Sequence, residues 1–206
     1  PWQPNERAVG IFSAQVEPSR RGSWTLQYET LTTTPKTIHL RGQHQVGDIK
    51  PLDVPFTKAK GVSFQAGAMA KVFSERGTSI AVGQKIKDVW SMARAVQKSL
   101  TPFDDIPPEI ELVQRFLRTE ISPDFELIGM LGSGVGVHHA GLSDETRSLI
   151  EWLAEIGKLR VLCATTTIAH GINFPVASAF LSTRFHPYGK EMSPRAFWNL
   201  VGRAGR

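Results

Sequence analysis

Residues 143–164, SDETRSLIEWLAEIGKLRVLCA, hold a helix and the strand that follows it, and their pattern sets the class of the fold. Ser143 is of N-cap type, with Thr146 and Arg147 in the first turn. Leu149, Ile150, Leu153 and Ile156 recur at helical spacing and form one apolar stripe. Gly157 stops the helix, and residues 159–164, apolar but for Arg160, read as a buried strand. With a further apolar run at residues 177–181, this rhythm marks βαβ units and a mainly parallel α/β sheet with helices on both faces. Ligands of such sheets gather at the carboxyl ends of the strands, so segments just after strands are the first place to look for chemistry.

Upstream the same alternation holds back to about residue 62. Residues 62–76 read as a helix ended by Gly77, and Ser79, Ile80, Ala81 and Val82 as a buried strand. Ile86, Val89, Trp90, Ala93 and Val96 give residues 85–100 a helical stripe. Three prolines between residues 101 and 108 break that helix, and another is predicted over residues 109–118. Residues 1 to about 60 have a different texture, rich in Thr, Gln, His and Pro. Short alternating stretches at residues 23–28 and 37–40 predict half-buried antiparallel strands, with turns at residues 32–35 and at Gly47 and Asp48.

The 206 residues are 41% hydrophobic and 21% charged, the balance of a globular chain with a real core. No apolar run approaches the roughly 18 residues that span a bilayer, so no membrane partner is expected. Pro1, Trp2, Gln3 and Pro4 make no signal peptide, and without an initiator Met the chain is expected to start inside a longer protein. Cys163 is the single cysteine, which excludes an internal disulfide, reads as a core residue and fits an intracellular location. A formal charge of +5 leans towards a polyanionic partner.

Three segments carry candidate chemistry. Residues 199–206, NLVGRAGR, end a helix that opens at Ser193 and Pro194, in which Phe197, Trp198 and Val201 are expected to face a core. Arg203 and Arg206 stand three residues apart among small neighbours that let another body approach, and guanidinium matches phosphate oxygens with paired hydrogen bonds. Residues 164–175, ATTTIAHGINFP, follow a strand directly, and hydroxyls with backbone N–H groups there suit a phosphate. Residues 135–142 contain the adjacent pair His138 and His139, which on a strand point to opposite faces. With no Cys or carboxylate cluster nearby, a metal is not expected, and contact with a sugar-phosphate backbone or a structural hydrogen bond is.

Taken in this order and spacing, the segments resemble the second half of the helicase core of superfamily 2, most closely its Ski-like DExH branch. Residues 138–142 (HHAGL) with Arg147 look like that branch's HHAGL segment, residues 164–175 resemble motif V (ATxTLAxGVNxP), and residues 199–206 resemble motif VI (QxxGRAGR). Residues 80–84 (IAVGQ) fall where the strand of motif IV belongs, and motif VI opens here with Asn199 in place of Gln. The close match covers about residues 135–206, and residues 62–134 match in pattern only.

The resemblance implies a RecA-like fold and a set of roles. Arg206, as arginine finger, and Arg203 would reach ATP phosphates held by a first RecA-like domain. Gly171, Asn173, Asn199 and Gly202 would line the same ATP cleft. Thr165, Thr166, His139 and Gly141 would meet a DNA or RNA single strand. It also implies a division into residues 1–12, opening the second RecA-like domain with an early strand at residues 8–12. Residues 13–50 would be an inserted β-hairpin, and residues 51–206 the remainder, cut after motif VI. Arg20 and Arg21 read as a solvated turn of that hairpin. The chain lacks a GxxxxGK loop followed by Ser or Thr, and it lacks a DExH box. ATP and Mg²⁺ are therefore expected mainly on a preceding domain, and the chain alone is not expected to hydrolyse ATP. Two other readings remain open at this point: a nucleic-acid-binding or regulatory module without ATP coupling, and a duplex translocase.

Overall fold

The structure, a computed structural model, describes residues 8–20, 22–33, 43–170, 176–186, 189–202 and 204. The expected strand at residues 37–40, Arg21, and the site candidates Gly171, Asn173, Arg203 and Arg206 lie outside the described residues, as does the side chain of Asn199.

Three antiparallel strands come first: β1 (Ala8–Val16), β2 (Trp24–Thr33) and β3 (Gln43–Val46), in the order β1-β2-β3. Phe12 stands opposite Tyr28 and Leu26 opposite Val46, so one face of the sheet is apolar. Gly10 is needed where β1 bulges, because a Cβ there would lie 2.4 Å from both Tyr28 Cζ and Glu29 O. Residues 8–12, expected as an early strand of the main domain, form the first half of β1 and pair with β2 rather than joining the parallel sheet. The alternation of Phe12, Ala14 and Val16 runs on without a break, and so does the strand.

From residue 56 the chain alternates helices and parallel strands. The elements are α1 (Phe56–Ala59), α2 (Val62–Phe73), β4 (Ser79–Gly83), α3 (Ile86–Lys98), α4 (Pro108–Glu120), α5 (Glu126–Leu131) and β5 (Val135–His138). They continue with α6 (Asp144–Glu155), β6 (Val161–Thr165), β7 (Ser178–Leu181) and α7 (Pro194–Val201), and a 3₁₀ turn spans Thr166–His170. The strands lie in the order β5-β6-β4-β7 with every pairing parallel. All residues of β4, β5 and β6 are buried, as an all-parallel sheet requires.

Helices cover both faces, and β5 shows how. Gly136 and His138 face α6: a Cβ on Gly136 would meet Ile150 Cγ2 at 3.3 Å, and His138 bonds Glu151. His139, one residue on, turns to Trp90 of α3. On that second face α2 and α3 pack closely at Gly67, whose added Cβ would lie 2.6 Å from Met92 Cγ. The antiparallel sheet joins the edge of the parallel one through Phe12, whose ring meets Phe180 of β7 edge-to-face at 6.0 Å.

The local signals work as chemistry predicts. Ser143 Oγ accepts the Thr146 N–H at 3.2 Å to cap α6, and Gly157 at φ 71° ends it. Ser143→Ala is expected to cost about 1 kcal/mol, read as a lower denaturation midpoint with an unchanged slope. Pro107 and Pro108 open α4, and Arg160 stacks over Phe103 at 4.1 Å to fix the proline-rich link before it. In α7 Ala196 is buried, while Trp198, expected to face a core, is 58% exposed. Ala196 and the half-buried Phe197 pack inward among the described side chains of that short helix, and Trp198 faces outward. Ile156 also leaves its stripe, because it is the C-cap of α6 and 39% exposed. Among the described residues no helix is long and apolar enough to cross a membrane.

Candidate functional site

Strand register assembles the first half of the site. His138 pairs with Ala164 and Gly83 with Thr165 across the parallel ladders. The residues that follow, His139 after β5, Thr166 after β6 and Gln84 after β4, therefore stand side by side along the carboxyl edge of the sheet. Beyond β7 the rim closes on His186: Thr166 Oγ1 and His186 Nδ1 are 2.9 Å apart, and Gln84 Nε2 donates to His186 O at 3.4 Å.

Thr165 and Thr166 are enclosed in this rim, at 1% and 0% exposure. The Thr165 hydroxyl bonds that of Thr167 at 2.7 Å, and the Thr166 hydroxyl is taken by His186. Thr167 is the half-buried member of the three and the one whose face reaches outward.

His138 and His139 diverge as adjacent strand residues must. His138 Nε2 lies 2.6 Å from Glu151 Oε1, while its buried Nδ1 has no hydrogen-bond partner among the described residues. Burial lowers the pKa of His138, opposed by Glu151. His139 Nε2 faces the Trp90 indole N–H at 3.0 Å, and its Nδ1 faces the Gly141 backbone N–H at 3.0 Å. Burial, then the neighbouring His138 and Arg147, hold its pKa below the ordinary imidazole range, so the ring is neutral near pH 7. Two facing N–H donors reinforce this, because an imidazolium would set a hydrogen against each of them.

The turn after His139 is tied from outside. Arg147 donates to Ala140 O at 3.3 Å and to Leu142 O at 3.4 Å, and it also pairs with Asp144. A Cβ on Gly141 would lie 3.1 Å from His139 Nδ1 and 3.3 Å from Ile86 Cδ1, so this corner packs closely. Ala140 and Gly141 themselves are exposed. Lys85 and Lys87, at the start of α3 beside this corner, are exposed cations. Sequence reasoning passed over both, although two lysines two residues apart just after a buried strand were a visible signal.

Ala204, between the two arginines in sequence, sits elsewhere. It forms a parallel bridge with Val176, which precedes β7, so it lies by the amino end of that strand. Ala204 therefore does not lie at the carboxyl end of β7. The Gly202 N–H donates to Trp198 O at 2.8 Å and the Ala204 N–H to Val201 O at 3.2 Å. A Cβ on Gly202 would lie 2.5 Å from Trp198 O. Residues 171–175 connect the turn at the rim to Val176 and so link the two halves in sequence.

A groove of 870 Å³ between the antiparallel sheet and β7 is lined by Phe12, Tyr28, Phe180 and Trp198 among others. No group of three or more His, Cys, Asp or Glu that could hold a metal ion occurs among the described residues. Cys163 is fully buried, and burial pushes its thiol pKa far up, so it is no nucleophile.

No family model matches the chain. Curated relatives do. It is 32% identical over 210 residues to the activating signal cointegrator 1 complex subunit 3-like protein of Dictyostelium discoideum, covering 98% of this chain and 9% of that protein. With the ATP-dependent DNA helicase Hel308 of Caldivirga maquilingensis it shares 42% identity over 85 residues, 39% of this chain and 11% of the relative. With the antiviral helicase SKI2 of Saccharomyces cerevisiae it shares 41% over 80 residues, 37% of this chain and 6% of the relative. The chain spans about a tenth of the length of these relatives.

Proposed function

The chain belongs to the Ski-like DExH branch of the superfamily 2 helicases, with a RecA-like α/β fold, and on that premise we propose that it is the second RecA-like domain of an ATP-dependent nucleic-acid helicase. It supplies the arginine finger and half of the path for a DNA or RNA single strand. Residues 51–206 form that domain, and the antiparallel sheet of β1, β2 and β3 is an appendage packed on its β7 edge.

The observation that carries this reading is the register that sets residues 139–141 and the threonine turn on neighbouring strand ends. Segments 27 residues apart, taking His138 and Thr165 as their starts, become one rim with exposed lysines beside it. Lys85 and Lys87, with Thr167 and the backbone of Ala140 and Gly141, offer phosphate contacts without base contacts. Such contacts give affinity that does not depend on sequence, as a translocating motor requires. Thr165 and Thr166 act by shaping the turn, since their hydroxyls bond Thr167 and His186.

Arg203 and Arg206 serve the ATP cleft. Residues 171–175, with Gly171 and Asn173, couple strand contact to the cleft, and Asn199 and Gly202 place the arginines. ATP and Mg²⁺ are bound mainly by a preceding RecA-like domain, because this sequence contains neither a phosphate-cradling loop nor a DExH box. ATP supplies the phosphoryl group whose developing charge a guanidinium stabilises.

The experiment is single-strand binding by the full-length protein across a salt series, with ATP turnover measured in parallel. Affinity should fall steeply with salt, and the strand should stimulate turnover. A full-length protein that neither binds a strand nor hydrolyses ATP in its presence overturns the reading.

A further inference from the structure

The turn after β5 is flanked by cations on two sides. Lys85 and Lys87 stand exposed at the start of α3, and the turn packs against Ile86 between them. On the α6 side stands Arg147, whose Nη1 donates to Ala140 O at 3.3 Å and to Leu142 O at 3.4 Å. These bonds fix the guanidinium in place, so a ligand that reaches it has no long flexible arm to order. Its Nη2 meets one oxygen of Asp144. This ion pair is open to solvent, with the Arg147 side chain 28% exposed and that of Asp144 86%. Burial keeps the neighbouring His138 and His139 neutral near pH 7, so neither ring competes for an anion at this corner. A pair as exposed as Arg147 and Asp144 is weak, because water screens it and holding two side chains together costs entropy. A phosphate on a strand already held by Lys85 and Lys87 arrives at high effective concentration and outcompetes such a carboxylate.

We propose that Arg147 is a phosphate-binding group of the rim whose anion site Asp144 occupies in the free protein, and that a backbone phosphate of the strand displaces this carboxylate. This rests on the nucleic-acid reading above and names a contacting group within it. Asp144 then acts as a built-in competitor that sets the affinity for the strand. Glu145, the other acid in the first turn of α6, is exposed as well but forms no ion pair among the described residues. It carries the same charge at the same helix end without touching the guanidinium, and so separates competition at one site from the general field.

The test compares Asp144→Asn with Glu145→Gln in the full-length protein. Each removes one negative charge from the first turn of α6, so the loss to the helix and the gain in long-range attraction are matched. Affinity for an oligothymidylate and an oligouridylate is measured by anisotropy across a salt series. Asp144→Asn should tighten strand binding by about two- to fivefold, the worth of an exposed ion pair, and Glu145→Gln by distinctly less. Arg147→Gln should weaken binding and make the slope of log affinity against log salt shallower by about 0.7, one phosphate contact on a single strand. A turn that merely loosened would leave that slope unchanged. Added to Arg147→Gln, Asp144→Asn should bring no more gain than Glu145→Gln does, because its effect runs through the guanidinium. An Asp144→Asn gain no larger than that of Glu145→Gln, or one that survives without Arg147, overturns the proposal. If wild type binds no strand, the nucleic-acid reading itself falls and the phosphate contact with it.

Discussion

Arg206→Ala in the full-length protein is expected to lower strand-stimulated ATP turnover by about 10³–10⁵-fold while single-strand affinity stays within a factor of about two. The loss is large because phosphoryl transfer leaves little covalent work to the protein. Rate comes from positioning and from charge placed where the transition state spreads its own. A planar guanidinium presents two donors to two phosphate oxygens and stays charged at any working pH. Arg206→Lys should therefore recover little, since an ammonium is a point charge without the fork. Strand affinity should persist because the rim of residues 139–141 and 165–167 lies at the carboxyl end of the sheet, while Ala204 bridges Val176 before β7. The isolated chain should show no turnover at all, lacking a phosphate-cradling loop of its own. The measurement is kcat at saturating strand and ATP, with anisotropy binding on the same preparations. If Arg206→Ala leaves kcat unchanged, the arginine motif is a relic and a binding module without ATP coupling becomes the better reading.

How much of this was legible in the sequence depends on the range of the interaction concerned. The stripe of α6 and the strand after it were readable because helical and strand periodicities are local, and Ser143 and Gly157 mark both ends of the helix. α5 was not foreseen: in six residues Leu127, Ile128, Met130 and Leu131 are all buried, so no polar face sets a period. β1 crosses the boundary expected at residue 12 because the pairing partner that extends it, β2, is a property of the sheet and not of the window read. At the site, strand geometry alone said that His138 and His139 diverge, and they do, towards α6 and α3. That His139 would meet Trp90, 49 residues away, needed the packing of α3 on β5. The burial of Thr165 and Thr166 likewise follows from the register with Gly83 and from His186, neither visible as a pattern. The roles given to Arg203 and Arg206 came from the resemblance, since spacing alone suits any pair of exposed arginines.

Gly202→Ala is expected to lower kcat by about 10²-fold, with single-strand affinity kept, and it tests placement where Arg206→Ala tests chemistry. At Gly202 the chain leaves α7 so tightly that a Cβ would sit 2.5 Å from the Trp198 carbonyl oxygen. That oxygen is backbone, accepts the Gly202 N–H at 2.8 Å and has no flexible side chain that could swing away. The chain itself must yield, and the residue that follows directly is Arg203. A displacement on the order of 1 Å at groups aligned for phosphoryl transfer costs about two decades in rate. The fold should survive, because α7 is anchored by Ala196, 6% exposed and two turns earlier, and no buried side chain is removed. Thermal denaturation should accordingly move by only a few degrees, as about 1 kcal/mol does in a domain of this size. A stable variant with normal kcat would mean that the backbone relaxes without moving the arginines, so that Gly202 serves helix termination only. A stable variant with kcat lost but ATP binding intact would assign the tight exit from α7 to the aim of the arginine pair.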